Sequence, residues 1–273
     1  GMQNWDGKIK YITKTGQFKI GLLPSVYKRC IELGIKPIIV DMRQPLPKVS
    51  KVVTQIGKYK LRPEQEKAVK AILSNKLGET PFQIGVLDYT VNAGKTLIMS
   101  ALYLSYKKQL KTLLITNDSD WLNQARDEFK QYLPGEDITF VQGKVLNWSN
   151  FTIGMVQSIS RNMKYYQNEL AKIDMVLIDE ADQGGSKQYQ NVITRLFNTR
   201  VRIGLSGTIY MSKLAKDKVK NMNLRCFFGD VIAEFKLKDS IKKGYSTKTI
   251  VKTVEGKPWF GNWESDCMSY NEI

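Results

Sequence analysis

Histidine is absent from all 273 residues of the chain. That removes the commonest general base and the commonest metal ligand, so Ser-His-Asp and Cys-His catalysis and His-ligated metals are excluded. Cysteine is scarce. Cys30, Cys226 and Cys267 lie far apart with no Cys-x-x-Cys pair, which argues against a zinc site or a disulfide framework and fits a reducing cytoplasm. No stretch approaches the roughly 18 apolar residues of a membrane span, and no signal-peptide pattern opens the chain. Gly1 before Met2 is read as a remnant of tag removal. Chemistry here is left to carboxylates, lysine, backbone amides and a hard metal such as Mg²⁺.

Acidic residues are also in deficit: 26 Asp and Glu stand against 42 Lys and Arg, a formal net charge of +16. A lysine-rich surface of this kind serves solubility, or it faces a polyanionic partner, nucleic acid or an anionic membrane. Charge does not choose between them; motifs must. Apolar residues make up 42% of the chain, which is ordinary for a globular protein with a core.

Patterning divides the chain into three. Residues 1–44 read as a small α+β accessory unit. Strands are expected over Lys8 to Ile12, Phe18 to Leu23 and Pro37 to Val40, with a helix from Ser25 through Glu32 closed by Gly34. Residues 45–60, lysine-rich with Pro45 and Pro47, read as a linker. From Leu61 to Ile273 the pattern becomes alternating strands and helices, the mark of a parallel, doubly wound α/β sheet. Helices are expected over Pro63 to Leu73 and Lys95 to Tyr106. Strands are expected near Phe82 to Leu87, Thr112 to Ile115, Ile138 to Val141, Thr152 to Met155, Met175 to Ile178 and Val201 to Leu205. Such a sheet takes its ligand at the C-terminal ends of its strands.

Two motifs carry chemistry. Thr90-Val91-Asn92-Ala93-Gly94-Lys95-Thr96 joins an expected strand to an expected helix, so its backbone amides curl around phosphate oxygens at a helix N-terminus. Lys95 then reaches the β- and γ-phosphates and the Thr96 hydroxyl binds Mg²⁺. Tyr89 occupies the place of the first glycine in GxxxxGK[ST], so the strict pattern fails and Gly-Lys-Thr alone is weak. Met175-Val176-Leu177-Ile178 supplies the context: an apolar strand ending in Asp179-Glu180-Ala181-Asp182. Asp179 is expected to hold Mg²⁺ and Glu180 to polarise the attacking water. An acidic helix start would explain the acids, but not the buried strand before them. Together the motifs indicate a P-loop NTPase using ATP and Mg²⁺.

With Ser206-Gly207-Thr208 further along, Asp179-Glu180-Ala181-Asp182 resembles motifs II and III of superfamily 2 helicases. Leu61-Arg62-Pro63-Glu64-Gln65 resembles the upstream Q-type motif of their XPB-like and restriction-enzyme-like branch. The resemblance implies a RecA-like motor domain in which Gln65 reads the adenine edge, Arg62 packs near the base, and Asp182 bonds toward Ser206 or Thr208. Thr116-Asn117-Asp118 through Gln124 and Met155-Val156-Gln157-Ser158 fall where motifs Ia and Ib sit. Asn117, Gln157 and Ser158 are therefore expected to face a nucleic-acid backbone. Asn4-Trp5-Asp6-Gly7-Lys8-Ile9 with Gly21-Leu22-Leu23, and Phe228-Gly229-Asp230-Val231 with Leu237 to Gly244, are similar to segments of UvsW-type phage recombination helicases. The resemblance spans nearly the whole chain and is most specific over residues 61–208.

Departures qualify it. Asn92 stands where many relatives have Gly or Ser, Tyr89 where small residues are usual, and Asn117-Asp118 replaces the Pro-Thr of motif Ia. No Gln-x-x-Gly-Arg-x-x-Arg pattern follows Thr208, so a second RecA-like domain, in cis or in trans, is expected as a partner alongside sequence-independent DNA. Arg161, Arg195 and Arg202 are not expected to reach the ATP face. The expected activity is that of an ATP-dependent DNA helicase or translocase motor. The alternatives are a duplex translocase of restriction or chromatin type, a nucleotide-gated DNA clamp without catalysis of its own, and an RNA helicase of the DEAD-box type. Trp5, Trp121, Trp148, Trp259 and Trp263, and the lysines from Met211 to Lys220, are read as packing and solvated surface before any contact with nucleic acid.

Overall fold

The structure is a computed structural model and describes residues 9–143, 145–210 and 215–248. In chain order the elements are α1 (Leu23–Glu32), β1 (Gln55–Ile56), β2 (Tyr59–Lys60), α2 (Pro63–Ser74), β3 (Lys76–Leu77), β4 (Thr80–Pro81), β5 (Ile84–Tyr89) and α3 (Lys95–Ser105). There follow β6 (Thr112–Thr116), α4 (Ser119–Tyr132), β7 (Ile138–Gln142), β8 (Val145–Leu146), β9 (Phe151–Met155), α5 (Val156–Arg161) and α6 (Met163–Leu170). The chain continues with β10 (Met175–Asp179), α7 (Lys187–Ile193), β11 (Val201–Ser206), α8 (Ala215–Phe228), β12 (Val231–Phe235) and α9 (Leu237–Lys242).

The central sheet runs β12-β5-β11-β10-β6-β9-β7-β8. Its strands are parallel from β12 to β7, and β8 alone pairs antiparallel, on β7. Every residue of β5, β6, β10 and β11 is buried, because helices cover both faces of a parallel sheet. Side chains alternate between those faces. Leu87, Leu114, Leu177 and Ile203 pack with α2, α3 and α4 into one core. Val86, Leu113, Ile115, Val176 and Ile178 pack with α5, α6, α7 and α8 into the other. The strict period of two along each strand thus separates two apolar layers.

The doubly wound parallel sheet is the fold expected of residues 61 onward. The segment before it differs. Ile20–Leu22 forms a 3₁₀ turn rather than the end of a strand, and α1 begins at Leu23, ahead of Ser25. Pro24 in the first helical turn explains the change, since its fixed φ suits a helix start and not a central strand. Of the first expected strand only an isolated bridge between Ile12 and Phe18 forms. Pro37 to Val40 joins no sheet among the described residues, and Ile38 and Val40 face solvent. A strand without a partner leaves its backbone groups to water and gains nothing over irregular chain. Leu22, Tyr11 and Phe18 pack into the second core of the sheet itself.

The expected linker is a packed strap. Leu46, Val49, Val52 and Val53 lie against the first core, and the Val53 N–H donates to Ser105 Oγ at 3.0 Å. The strap closes with the hairpin of β1 and β2 around Gly57. A clamp fixes its start: Asp41 pairs with Arg43 at 2.7 Å and with Arg200 at 3.3 Å, and Arg200 donates to the Gln44 carbonyl at 2.7 Å.

Candidate functional site

Five neighbouring strands, β5, β11, β10, β6 and β9, end on one edge of the sheet, and each tip carries a segment expected to be functional. The order in space is the P-loop after β5, Ser206-Gly207-Thr208 at β11, Asp179-Glu180-Ala181-Asp182 at β10, Asn117 at β6 and Gln157 at β9. Consecutive parallel crossovers in an open sheet collect loops this way, and ligands bind there.

The loop from Thr90 to Gly94 turns twice through left-handed backbone, at Asn92 (φ 63°) and Gly94 (φ 72°). Asparagine is among the few residues that tolerate this region, which accounts for Asn92 in place of glycine. At Gly94 the left-handed backbone favours glycine, and a Cβ would also meet Gln65 Nε2 at 2.3 Å and force that amide to shift. Tyr89 is fully buried, with its hydroxyl donating to the Glu64 carbonyl at 2.8 Å. It belongs to the core and not to the wall of the phosphate loop. Val91 and Asn92 are exposed, Thr90, Ala93 and Thr96 are buried, and Lys95 and Thr96 open α3.

Lys95 Nζ lies 3.6 Å from Asp179 Oδ1, beyond hydrogen-bond reach, and that oxygen is buried with no hydrogen-bond partner. Burial raises the Asp179 pKa above its ordinary value, with Lys95 opposing. Glu180 is raised by burial and then by the Asp179, Asp182 and Asp118 charges. A compact group of acids under one lysine is deficient in positive charge. Among the described residues no cluster of three or more Cys, Asp or Glu side chains suits a metal by itself. The donor set fits Mg²⁺, which is usually held by one or two carboxylates while phosphate and water oxygens complete its shell.

Glu180 itself is left-handed (φ 52°, ψ 48°), a conformation that costs a non-glycine residue about 1–2 kcal/mol. The chain there turns off β10 into a 3₁₀ turn over Ala181–Gln183. The next contact joins motifs across strands: Ser206 Oγ donates to Asp182 Oδ1 at 2.7 Å. Thr208 joins through Ser206, donating its N–H at 3.1 Å. Of the two partners expected for Asp182, Ser206 is the direct one. Gly207 lies so close to the P-loop that a Cβ there would meet Thr90 Cα at 3.1 Å.

Gln65 is held between Arg62 and the phosphate loop. Its Oε1 accepts from the Arg62 N–H at 2.8 Å, its Nε2 donates to the Ala93 carbonyl at 2.9 Å, and it is 3% exposed. The amide braces the phosphate loop with one N–H and one lone pair, which leaves a second N–H and a second lone pair on the same group. Arg62 donates to the Asn92 carbonyl at 3.1 Å, pairs with Glu64 and lies 4.3 Å from the ring centre of Tyr245. Sequence reasoning missed Tyr245 and Lys243, the latter 2.8 Å from Glu64. Nothing near them in sequence signals a site, because they return to it from the far end of α9.

Asn117, Gln157 and Ser158 are half-buried. Gln157 Nε2 donates to the Asn117 carbonyl at 3.3 Å, and Ser158 Oγ accepts from the Gly143 N–H at 3.0 Å. Gln183 was also missed. It links Asn117 to Glu180, and its only sequence signal is its place three residues after Glu180, one turn of a 3₁₀ helix. Trp121 and Trp148 pack against the two cores. Trp5, Trp259 and Trp263, residues 4–8 of the N-terminal resemblance, Met211 to Leu214 and Cys267 lie outside the described residues. Lys218 and Lys220 are exposed on α8.

This order of motifs along adjacent strand tips is that of the first RecA-like motor domain of superfamily 2 helicases. The chain belongs to the family described as type III restriction enzyme, res subunit, which it matches over residues 58–211. It is similar to the ATP-dependent DNA helicase uvsW of Enterobacteria phage T4, 23% identical over 272 residues covering 92% of this chain and 51% of that protein. It is 26% identical over 147 residues to a protein of Acanthamoeba polyphaga mimivirus provisionally named ATP-dependent RNA helicase L396, covering 54% of this chain and 27% of the other. The crystal structure of the UvsW helicase from Bacteriophage T4 shares the fold, with a TM-score of 0.65 at 22% identity over 84% of each chain. The chain thus spans about half the length of the first of these relatives and about a quarter of the second.

Proposed function

We propose that the chain is the first motor domain of an ATP-dependent DNA helicase or translocase, binding ATP–Mg²⁺ and DNA and hydrolysing ATP when a second RecA-like domain closes over it. The observation that supports this most is the meeting of Lys95 and Asp179 across two strand tips at 3.6 Å, with Asp179 Oδ1 otherwise unpartnered. Triphosphate lies along the loop amides from Val91 to Thr96, with Lys95 on its β- and γ-oxygens. Thr96 and Asp179 hold the Mg²⁺, which supplies neutralisation of charge on the terminal phosphates.

Glu180 accepts a proton from water as that water's oxygen bonds to the γ-phosphorus, and the bond from that phosphorus to the β–γ bridging oxygen breaks to release ADP and phosphate. Asp182 and Ser206 carry the change at the phosphates to the strand tips. DNA rather than RNA follows the name of the phage relative, whose alignment covers most of this chain. The partition into 1–44, 45–60 and 61–273 stays part of this proposal, with the first segment stabilised by the motor's core. The reading places the protein in the cytoplasm of a bacterium or a phage-infected host. Among the described residues no helix is long and apolar enough to cross a membrane.

Calorimetry with a non-hydrolysable ATP analogue tests the site. Lys95→Ala abolishes binding, whereas Glu180→Gln keeps it and, with a second RecA-like domain supplied, lowers turnover at least about a hundredfold, the loss expected of a general base. Undiminished binding by Lys95→Ala removes the phosphate-loop assignment, and undiminished turnover by Glu180→Gln removes the role of the carboxylate.

A further inference from the structure

Gln183 stands at a junction that the hydrolytic reaction does not use. Its Nε2 donates to Glu180 Oε2 at 3.2 Å, and its Oε1 accepts from Asn117 Nδ2 at 2.6 Å. Gln157 Nε2 extends the chain from the tip of β9 by donating to the Asn117 carbonyl. The amide orientations are mutually consistent: each of the three side-chain nitrogens donates, and the series ends on the carboxylate that is the candidate general base. Two atoms are left over. Asn117 Oδ1 and Gln157 Oε1 are both buried without a hydrogen-bond partner, an arrangement that disfavours this resting geometry. Gln183 is exposed, and with Asp182 it lines an open cleft alongside Ser186, Lys220 and Asn223. An incoming ligand therefore has access to the relay.

We propose that Gln183 is a positioning residue that restrains the Glu180 carboxylate, and that a nucleic-acid phosphate engaging Asn117 releases it. The inference rests on the reading of Glu180 as the water-activating group and of the β6 and β9 tips as facing the nucleic-acid backbone. Asn117 Nδ2 has two N–H groups, one of them given to Gln183 Oε1, and a charged phosphate oxygen is a stronger acceptor than that amide oxygen. A phosphate oxygen at the β6 tip turns the Asn117 amide toward itself and away from Gln183 Oε1, and the Gln183 amide loses the contact that aligns it on Glu180. The carboxylate is then free to turn to a water beside the γ-phosphate. Conversely, ATP that draws Glu180 toward that water frees Gln183 and loosens Asn117 for the phosphate. Occupancy of either site favours the other, as linkage requires.

The test measures binding of a single-stranded oligodeoxynucleotide of about 16 nucleotides to the 273-residue chain, with and without a saturating non-hydrolysable ATP analogue. In the wild type the analogue tightens DNA binding about threefold to tenfold, the factor one net hydrogen bond sets. In Gln183→Met that factor falls to about one, while the Kd for the analogue without DNA stays within about twofold. Asn117→Ala gives the same loss of coupling with Gln183 in place. ATP turnover, measured with a second RecA-like domain supplied, is the second readout: Gln183→Met raises kcat without DNA by about threefold to tenfold, leaving KM for ATP unchanged. Coupling in Gln183→Met equal to that of the wild type overturns the relay, as does a wild type that binds both ligands independently. A wild type that binds no analogue overturns instead the reading on which the relay rests, and calorimetry without DNA distinguishes that failure.

Discussion

Among single residues, Gly94 is the one whose replacement is most informative. Its φ of 72° and the 2.3 Å that would separate a Cβ from Gln65 Nε2 are independent obstacles to any side chain. The left-handed conformation costs alanine about 1–2 kcal/mol, and the clash displaces the Gln65 amide from the Ala93 carbonyl. Because that hydrogen bond holds the loop in its phosphate-binding curve, Gly94→Ala lowers affinity for an ATP analogue about tenfold or more. Calorimetry alongside thermal unfolding checks it. Wild-type affinity in a folded variant means the loop takes its curve without Gln65.

At the scale of elements, the clamp around Asp41 joins the irregular segment after α1 to the sheet. The hydrogen bond from Arg43, and then the charges of Arg43 and Arg200, hold the Asp41 carboxyl below its ordinary range despite partial burial. A folded-state pKa below the unfolded one contributes stability above the unfolded value, near 4, that disappears as pH falls through the folded value. Asp41→Asn accordingly destabilises the protein by about 1–2 kcal/mol at pH 7. The difference from wild type narrows below about pH 4. Urea unfolding of both proteins at a series of pH values from about 7 to 3 measures this. A gap that persists unchanged into acid assigns the loss to packing and not to charge.

For the whole molecule, the +16 charge and the five strand tips on one edge together predict DNA binding through phosphates. Affinity falls steeply with salt, with a logarithmic slope that counts the phosphates neutralised. Titrations at salt concentrations from about 50 to 200 mM give the slope, and a flat response assigns the charge to solubility. Transition-state arginines contribute about 10³–10⁵ in rate in P-loop enzymes. Arg202 does not serve: it is buried at the opposite end of β11, donating to the Leu196 and Phe227 carbonyls. On the proposed reading, strand displacement on a forked duplex is expected only once a second RecA-like domain is supplied, together with DNA-stimulated turnover. Robust strand displacement by the chain alone contradicts this division of labour.

What was legible in the sequence was local. Met175 to Ile178 announces a strand because four consecutive apolar residues end in acids, and Gly94-Lys95-Thr96 announces a helix start because each residue type suits a phosphate. Pro24, in the first turn of α1 directly after a 3₁₀ turn, shows where local reading failed: the apolar run from Phe18 to Leu23 suits a strand or a buried turn equally, and only packing against Phe227 and Phe228 in the second core decided.

By itself, the sequence determined the chemistry available, the two faces of each strand and the motifs, since these follow from residue type and period. Tertiary structure decided what stands next to what. The insertion of β11 between β5 and β10 brings Ser206 to Asp182. The return of the chain after α9 sets Tyr245 on Arg62, and the meeting of β6 with the turn after β10 places Gln183 between Asn117 and Glu180. Strand order in a parallel sheet is set by which crossovers bury the most surface, a property of the whole chain that no single segment carries.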